Sequence, residues 1–128
     1  SDLQFSQKLD RIITKIDQDV SAIVKHCVAC NKIPIIIGGG HNNAFGNIKG
    51  LSTALNKSIG VLNIDAHTDL RDSQYRHSGN GFSKAFEEDY VSKYVIFGLH
   101  KNYTPEYIFK VIKLKKNRID QVEIKRNK

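Results

Sequence analysis

Ile33-Pro34-Ile35-Ile36-Ile37-Gly38-Gly39-Gly40-His41 and Ile59-Gly60-Val61-Leu62-Asn63-Ile64-Asp65-Ala66-His67-Thr68-Asp69 decide how this chain is read. Each opens as a short apolar run rich in β-branched residues and stops abruptly, the first at three glycines and the second at an aspartate, as a buried strand does. Between them Ala44, Phe45, Ile48, Leu51 and Leu55 recur at helical spacing up to Asn56. Strand, helix and strand in that order make the βαβ unit of a parallel sheet.

The pattern continues on both sides. Upstream, Leu9, Ile12, Ile13, Ile16, Val20, Ile23, Val24 and Cys27 predict an amphipathic helix with one face on the sheet, and Asn31 is placed as a left-handed cap before a fully buried strand at Ile33 to Ile37. Downstream, residues 68–83 predict a polar loop, with a helical turn near Ala85 and Phe86. Tyr90-Val91 and Tyr94 to Phe97 predict a strand ending at Gly98. Thr104-Pro105-Glu106 supplies a capping residue and a proline for the first helical position of a helix running to about Lys116. Ile119, Val122 and Ile124 open a last strand. The expected class is α/β, a three-layer αβα arrangement on a parallel sheet, in one domain over residues 1–128.

With 128 residues the chain holds one modest core. The net charge of +7 is uneven: residues 1–100 carry 11 Lys/Arg against 10 Asp/Glu, and residues 101–128 carry 9 against 3. A basic end can serve nucleic acid, but Lys110, Lys113, Lys115, Lys116 and Arg118 alternate with Ile108, Phe109, Val111, Ile112 and Leu114 as on one solvated helix face. No nucleic-acid partner is therefore expected. The apolar runs are too short for a membrane span, and Ser1 to Asp10 lacks the apolar core of a signal peptide, so a cytoplasmic protein without a membrane partner is expected. Cys27 and Cys30 alone support neither a disulfide framework nor a four-ligand zinc site and read as buried, inert thiols.

In open parallel sheets ligands gather outside the carboxyl ends of the strands, where both His41 and the 65–69 segment fall. Asp65, His67 and Asp69 are spaced by two, so an extended backbone would send all three side chains to one side. With His41 they offer two imidazoles and two carboxylates, a set suited to manganese, iron or zinc over calcium or magnesium, and the aspartates tilt it to manganese. The plainer reading makes Asp65 a turn cap, His67 a loop histidine and Asp69 a partner of Arg71. A phosphate-cradling glycine loop is a rival at Gly38 to Gly40, yet no P-loop Lys-Ser/Thr follows, and Asn43 stands where Gly-x-Gly-x-x-Gly ends. His100 reads as a residue approaching a helix.

Gly-Gly-Gly-His at 38–41 and Asp-Ala-His-Thr-Asp at 65–69 together resemble two signature motifs of the ureohydrolases, the family of arginases, agmatinases and formimidoylglutamases. The resemblance implies an arginase-like fold and hydrolysis of guanidino or formimino carbon–nitrogen bonds at a site of two manganese ions (Mn2+). It implies His41 and Asp69 as ligands of one ion, Asp65 as a bridge and His67 as a ligand of the other. The stretch Arg76 to Phe82 resembles the family's substrate loop, which makes His77, Ser78 and Asn80 candidates for substrate binding. The family's Ser-x-Asp-x-Asp segment, which supplies two more ligands, does not occur after Asp69, and members are roughly twice this length. The expectation is a fragment lacking the N-terminal part and that half of the metal site, inactive by itself.

Arginases carry histidine at the position of Phe82 and asparagine at that of Arg71, and both departures point away from arginase itself. Arg71, two residues beyond Asp69, can grip a substrate carboxylate in a bidentate pair. That favours formimidoylglutamate, cleaved to glutamate and formamide. An agmatinase or other guanidino-acid hydrolase is the alternative on the same scaffold, and a non-catalytic metal- or phosphate-binding module is the alternative of another class. By resemblance the full-length protein is expected to be a homo-oligomer.

Overall fold

The computed structural model describes residues 2–72 and 74–123. Helix α1 runs Asp2–Ala29, α2 Asn43–Leu55, strand β1 Ile59–Ile64, α3 Gly81–Glu87, β2 Val91–Phe97, α4 Glu106–Leu114 and β3 Ile119–Val122. The predicted start of a strand at Ile124 lies outside the described residues.

The three strands pair in parallel in the order β1-β2-β3, with Val61 opposite Tyr94 and Tyr94 opposite Ile119. Because spatial order follows chain order, successive crossovers of one hand bring α3 and α4 to the same face of the sheet. That face is the core: Tyr94 and Ile96 of β2 and Ile119 of β3 join Phe45, Ile48, Phe82, Phe86, Ile108 and Ile112 from the helices in one cluster. The period of two then sends Leu62, Ile64, Phe97 and Val122 to the opposite face, where they are exposed, so the described helices cover one side of the expected three layers.

Two expectations about the N-terminal third are corrected. Helix α1 lies on α2 rather than on the sheet. The reason is the pair Gly46 and Gly50, one turn apart on α2. A Cβ at Gly46 would stand 2.9 Å from the Asp17 carbonyl oxygen and one at Gly50 2.6 Å from that of Ser21, so the helix backbones approach as only glycine allows. The buried stripe of α1 therefore runs through Ile13, Asp17, Ser21 and Val24, while Ile12, Ile16 and Ile23 of the apolar pattern face outward.

The segment Ile33 to Ile37 is not a buried strand: it joins no ladder among the described residues, and Ile33, Ile35 and Ile37 are 90%, 83% and 94% exposed. Apolar, β-branched residues set where side chains point, but a strand also needs a neighbour's N–H and C=O groups. Pro34 offers no N–H at all. The segment passes beside the α1–α2 pair, leaving a cleft of about 360 Å³ lined by Val24, Val28, Pro34, Ile36 and Leu51.

The remaining elements fall where their sequences place them. Asn31 takes the left-handed conformation expected of a cap, at φ 56°. Asn56 does so after α2, its N–H reaching the Ser52 and Thr53 carbonyls. Pro105 sits one residue earlier relative to α4 than expected, as its cap, with Glu106 opening the helix. Of the basic residues expected on one solvated helix face, Lys110 pairs with Glu106 on α4, but α4 ends at Leu114, so Lys115 and Arg118 lie beyond it, over the buried Phe86 ring.

Candidate metal centre

The carboxyl edge of the sheet brings the two motifs together. Strand β1 ends at Ile64, and the Asp65 N–H donates to the Phe97 carbonyl at 3.1 Å, so the loop leaves β1 alongside the end of β2. One step later His100 N–H donates to the Ala66 carbonyl at 3.0 Å, tying the β2–α4 connection to the same loop. On the other side Gly38 and Gly39 take positive φ values of 85° and 81°, and this turn delivers His41 to the start of α2.

His41, Asp65 and Asp69 converge, each offering a donor atom within 4.8 Å of the others. His41 Nδ1 stands 2.5 Å from Asp69 Oδ2 and 3.5 Å from Asp65 Oδ2. The second oxygen of Asp65, Oδ1, faces His67 Nδ1 at 3.1 Å and also accepts the His67 backbone N–H. Asp65 thus presents one oxygen to each histidine. The four residues do not reach this arrangement by an extended backbone: Asp69 has φ 48°, and Asp65 caps a bend at His67. His67 is more exposed than the other three and stands to one side of the convergent trio.

Burial pushes the Asp69 carboxyl above its ordinary range, His41 pulls it back, and the neighbouring Asp65 pushes it up again. Two partly buried carboxylates that converge on one imidazole, His41, with a second imidazole beside Asp65, form a donor set that a cation would neutralise, and the residues present fit a metal ion.

Beneath the site lies a support the sequence did not single out. Tyr94 is wholly buried on β2. Its hydroxyl donates to the Thr68 carbonyl at 2.9 Å and accepts from Asn63 Nδ2 at 3.0 Å. Burial pushes its phenol far above the usual tyrosine range, so it stays a donor. The Phe82 ring stacks on Tyr94 with centroids 4.6 Å apart and meets His41 edge-on at 5.6 Å. One aromatic column therefore supports both motifs. The available signal was the alternation of β2, which turns Tyr94 inward, where a hydroxyl needs partners.

The loop between Arg71 and Phe82 is built around a buried cation. Arg76 donates through Nε and Nη2 to both oxygens of Asp17 at 2.8 and 3.2 Å, to the Asn42 carbonyl at 3.0 Å, to the His77 carbonyl at 3.1 Å and to Asn80 Oδ1 at 2.5 Å. Burial pushes the Asp17 carboxyl upward against the pull of Arg76.

The candidate substrate residues divide accordingly. Asn80 departs from expectation: it is wholly buried, its Nδ2 donates to the Asp72 and Tyr75 carbonyls, and its Oδ1 accepts from Arg76 and the His77 N–H, so its hydrogen-bonding capacity is spent shaping the loop. Ser78 is exposed. His77 is half-buried, its Nδ1 accepting the Gly79 N–H at 3.1 Å, and burial together with Arg71 holds its pKa below the usual histidine value. Arg71 is exposed, its stem lies along Gly79, and it lines a cleft of about 360 Å³ with Leu70, Phe86, Tyr107 and Val111. Of the thiols expected to be buried, Cys30 is exposed and lies 3.8 Å from His26 Nε2, because the helix end turns it outward.

A sequence profile of the arginase family matches residues 1–128. The chain belongs to the arginase family. This family member is 34% identical over 103 residues to the formimidoylglutamase of Macrococcus caseolyticus, covering 80% of this chain and 33% of that one. It is 33% identical over 108 residues to that of Streptococcus gordonii, covering 78% and 33%. It therefore spans about a third of the length of these relatives, less than the half expected from sequence. Among solved structures, Trypanosoma cruzi formiminoglutamase with Mn2+ superposes with a TM-score of 0.75 at 22% identity, covering 86% of this chain and 38% of that one. An arginase from Medicago truncatula superposes at 0.71 and 22% identity, covering 86% and 35%. The α/β fold with its parallel sheet is thus an arginase-family fold. Among the described residues no helix is long and apolar enough to cross a membrane.

Proposed function

We propose that this chain carries part of the active site of a manganese-dependent hydrolase that cleaves a formimino carbon–nitrogen bond, with formimidoylglutamate as substrate and glutamate and formamide as products. The observation that carries the reading is Asp65 facing His41 with one oxygen and His67 with the other while Asp69 closes on His41. His41 and Asp69 would hold one Mn2+, His67 the other, and Asp65 both. When bound, a manganese pair supplies a water acidic enough to attack an amidine carbon near neutral pH.

The remaining work falls to the chain's own residues. Phe82 and the Tyr94 ring keep water from the rear of His41. Arg71 stands close enough to Asp69 to act on its charge, and its guanidinium can pair with a carboxylate of the substrate. Ser78 and the face of His77 not engaged with Gly79 offer hydrogen bonds at the distal end of the substrate. The same positive charge disfavours agmatine, a cation, which makes agmatinase chemistry the second choice. The whole protein is proposed to work as a cytoplasmic homo-oligomer on this small-molecule amidine, with no nucleic-acid or membrane partner.

The test is product release by the intact manganese-loaded protein offered formimidoylglutamate, agmatine and arginine separately. Formamide from the first alone is expected, and Arg71→Ala should raise KM more than it lowers kcat. Urea from agmatine or arginine would refute the substrate, and no product from any of them would refute the activity. Residues 1–128 alone are expected to turn over negligibly.

A further inference from the structure

Tyr103 belongs to neither signature motif, yet it is the residue against which His67 rests. The His67 and Tyr103 rings are stacked, 28° from parallel with centroids 5.7 Å apart, and the His100 ring lies against Tyr103 at 4.9 Å and 31°. Both separations lie in the range of attractive ring pairs, the first stacked and the second tilted. The three rings sit on the outer side of the site, with His67 53% exposed and Tyr103 61% exposed.

The backbone fixes this stack from both ends. His100 N–H donates to the Ala66 carbonyl, the peptide next to His67, and Tyr103 N–H donates back to the His100 carbonyl at 3.0 Å. The same His100 carbonyl accepts the Thr104 hydroxyl at 3.2 Å, and Lys101 is anchored to Glu123 at 2.9 Å. Tyr103 is therefore held relative to Ala66, one residue from His67, by a short tight turn. His41, by contrast, is held by Phe82 inside the core and by its closeness to Asp69. The more exposed histidine is thus braced by an exposed ring, and His41 by a buried one.

From this geometry we infer that Tyr103 is a positioning residue that orders the His67 imidazole, directing Nδ1 at Asp65 and thereby setting affinity for the second of two metal ions without touching the first. The inference rests on the two-metal reading above. Tyr103 acts through contact of its ring with His67, so phenylalanine should replace it and alanine should not.

The test uses the intact protein, stripped of metal and titrated with Mn2+ while free and bound ion are followed by electron paramagnetic resonance. In the wild type two sites should fill. Tyr103→Ala should weaken one of the two sites about tenfold, the scale for loss of a residue orienting a metal ligand, and leave the other unchanged. Tyr103→Phe should restore it. An unchanged Tyr103→Ala titration, equal weakening of both sites, or a Phe variant as weak as the Ala variant would each overturn the inference. In the metal-free protein, carbon relaxation of the His67 imidazole should show greater ring mobility in Tyr103→Ala, and unchanged mobility would overturn the brace itself. A wild type that binds fewer than two ions would instead sink the two-metal reading and leave the relaxation result to decide the brace.

Discussion

Replacing Tyr94 by phenylalanine removes one oxygen from the centre of the protein and leaves the aromatic column standing. The ring stays stacked on Phe82, so loss of packing is small, and what disappears is the bridge from Asn63 to the Thr68 carbonyl. Both partners are buried, at 7% and 6% exposure, with no room to turn to solvent. An orphaned buried polar group costs about 1–3 kcal/mol, and two of them, less the saving from no longer burying a hydroxyl, give roughly 2–4 kcal/mol. Urea unfolding should show that loss as a lower midpoint at unchanged slope. Because Thr68 stands between His67 and Asp69, manganese affinity should fall with it. The phenol is pushed far above the usual range by burial, so the destabilisation should be the same from about pH 6 to 9. A loss under about 0.5 kcal/mol, the level of an ordinary surface change, would show that the hydroxyl does not hold the loop.

Three further outcomes follow from the contacts. Gly50→Ala should lower thermal stability by about 1–3 kcal/mol despite its better helix propensity, because the new Cβ would stand 2.6 Å from the Ser21 carbonyl oxygen, and an unchanged melting temperature in calorimetry would refute the close α1–α2 approach. Asp17→Ala leaves the Arg76 guanidinium buried without its carboxylate and should cost about 3–5 kcal/mol in chemical denaturation, with faster proteolysis in the 71–80 loop as the local sign. Burial and the neighbouring Arg71 lower the His77 pKa in the fold, so as pH falls the unfolded chain takes up the proton first. Stability is whole above about pH 6.5 and declines as pH falls below it. His77→Asn, which keeps an acceptor for Gly79, should flatten that decline, and an unaltered pH profile would exclude His77 as its source.

The parts of the fold legible in sequence are those whose partners lie nearby in the chain. The short apolar runs that placed β1 and β2, the helical spacing of α2 and the caps at Asn31 and Asn56 are local signals, and each element formed where they put it. Failure came where the partner was distant or not encoded by apolarity. The stripe of α1 predicts burial but not the surface that buries it, and two glycines chose α2. Ile33 to Ile37 carries every residue preference of a strand, but nothing in its composition supplies the ladder a strand requires. At the site, residue type and two-residue spacing were enough to nominate Asp65, His67 and Asp69 with His41. The spacing argument nevertheless had the wrong geometry, since a bend and a positive φ at Asp69, not an extended chain, turn the carboxylates together. Asn80 is not legible from its type alone, because an amide serves equally well as a substrate contact and as a buried brace, and its four internal bonds favour the brace.

Arg76 explains why the loop could not be resolved from its own sequence. Its guanidinium joins Asp17 on α1, the Asn42 carbonyl next to His41, and His77 and Asn80 within the loop, and it lies over the Phe45 ring at 5.1 Å. A planar fork with several donors can satisfy acceptors from several elements at once, which a lysine's point charge cannot. The turn at Asn42 beside His41, the loop proposed to face the substrate and helix α1 thus share one buried cation. A shift of α1 would be transmitted to both sides of the site, because Arg76 cannot follow one partner without abandoning another in a region where unpaired charge is costly. The position of His41 against Asp69 consequently depends on α1, whose own sequence carries none of the residues proposed to bind metal.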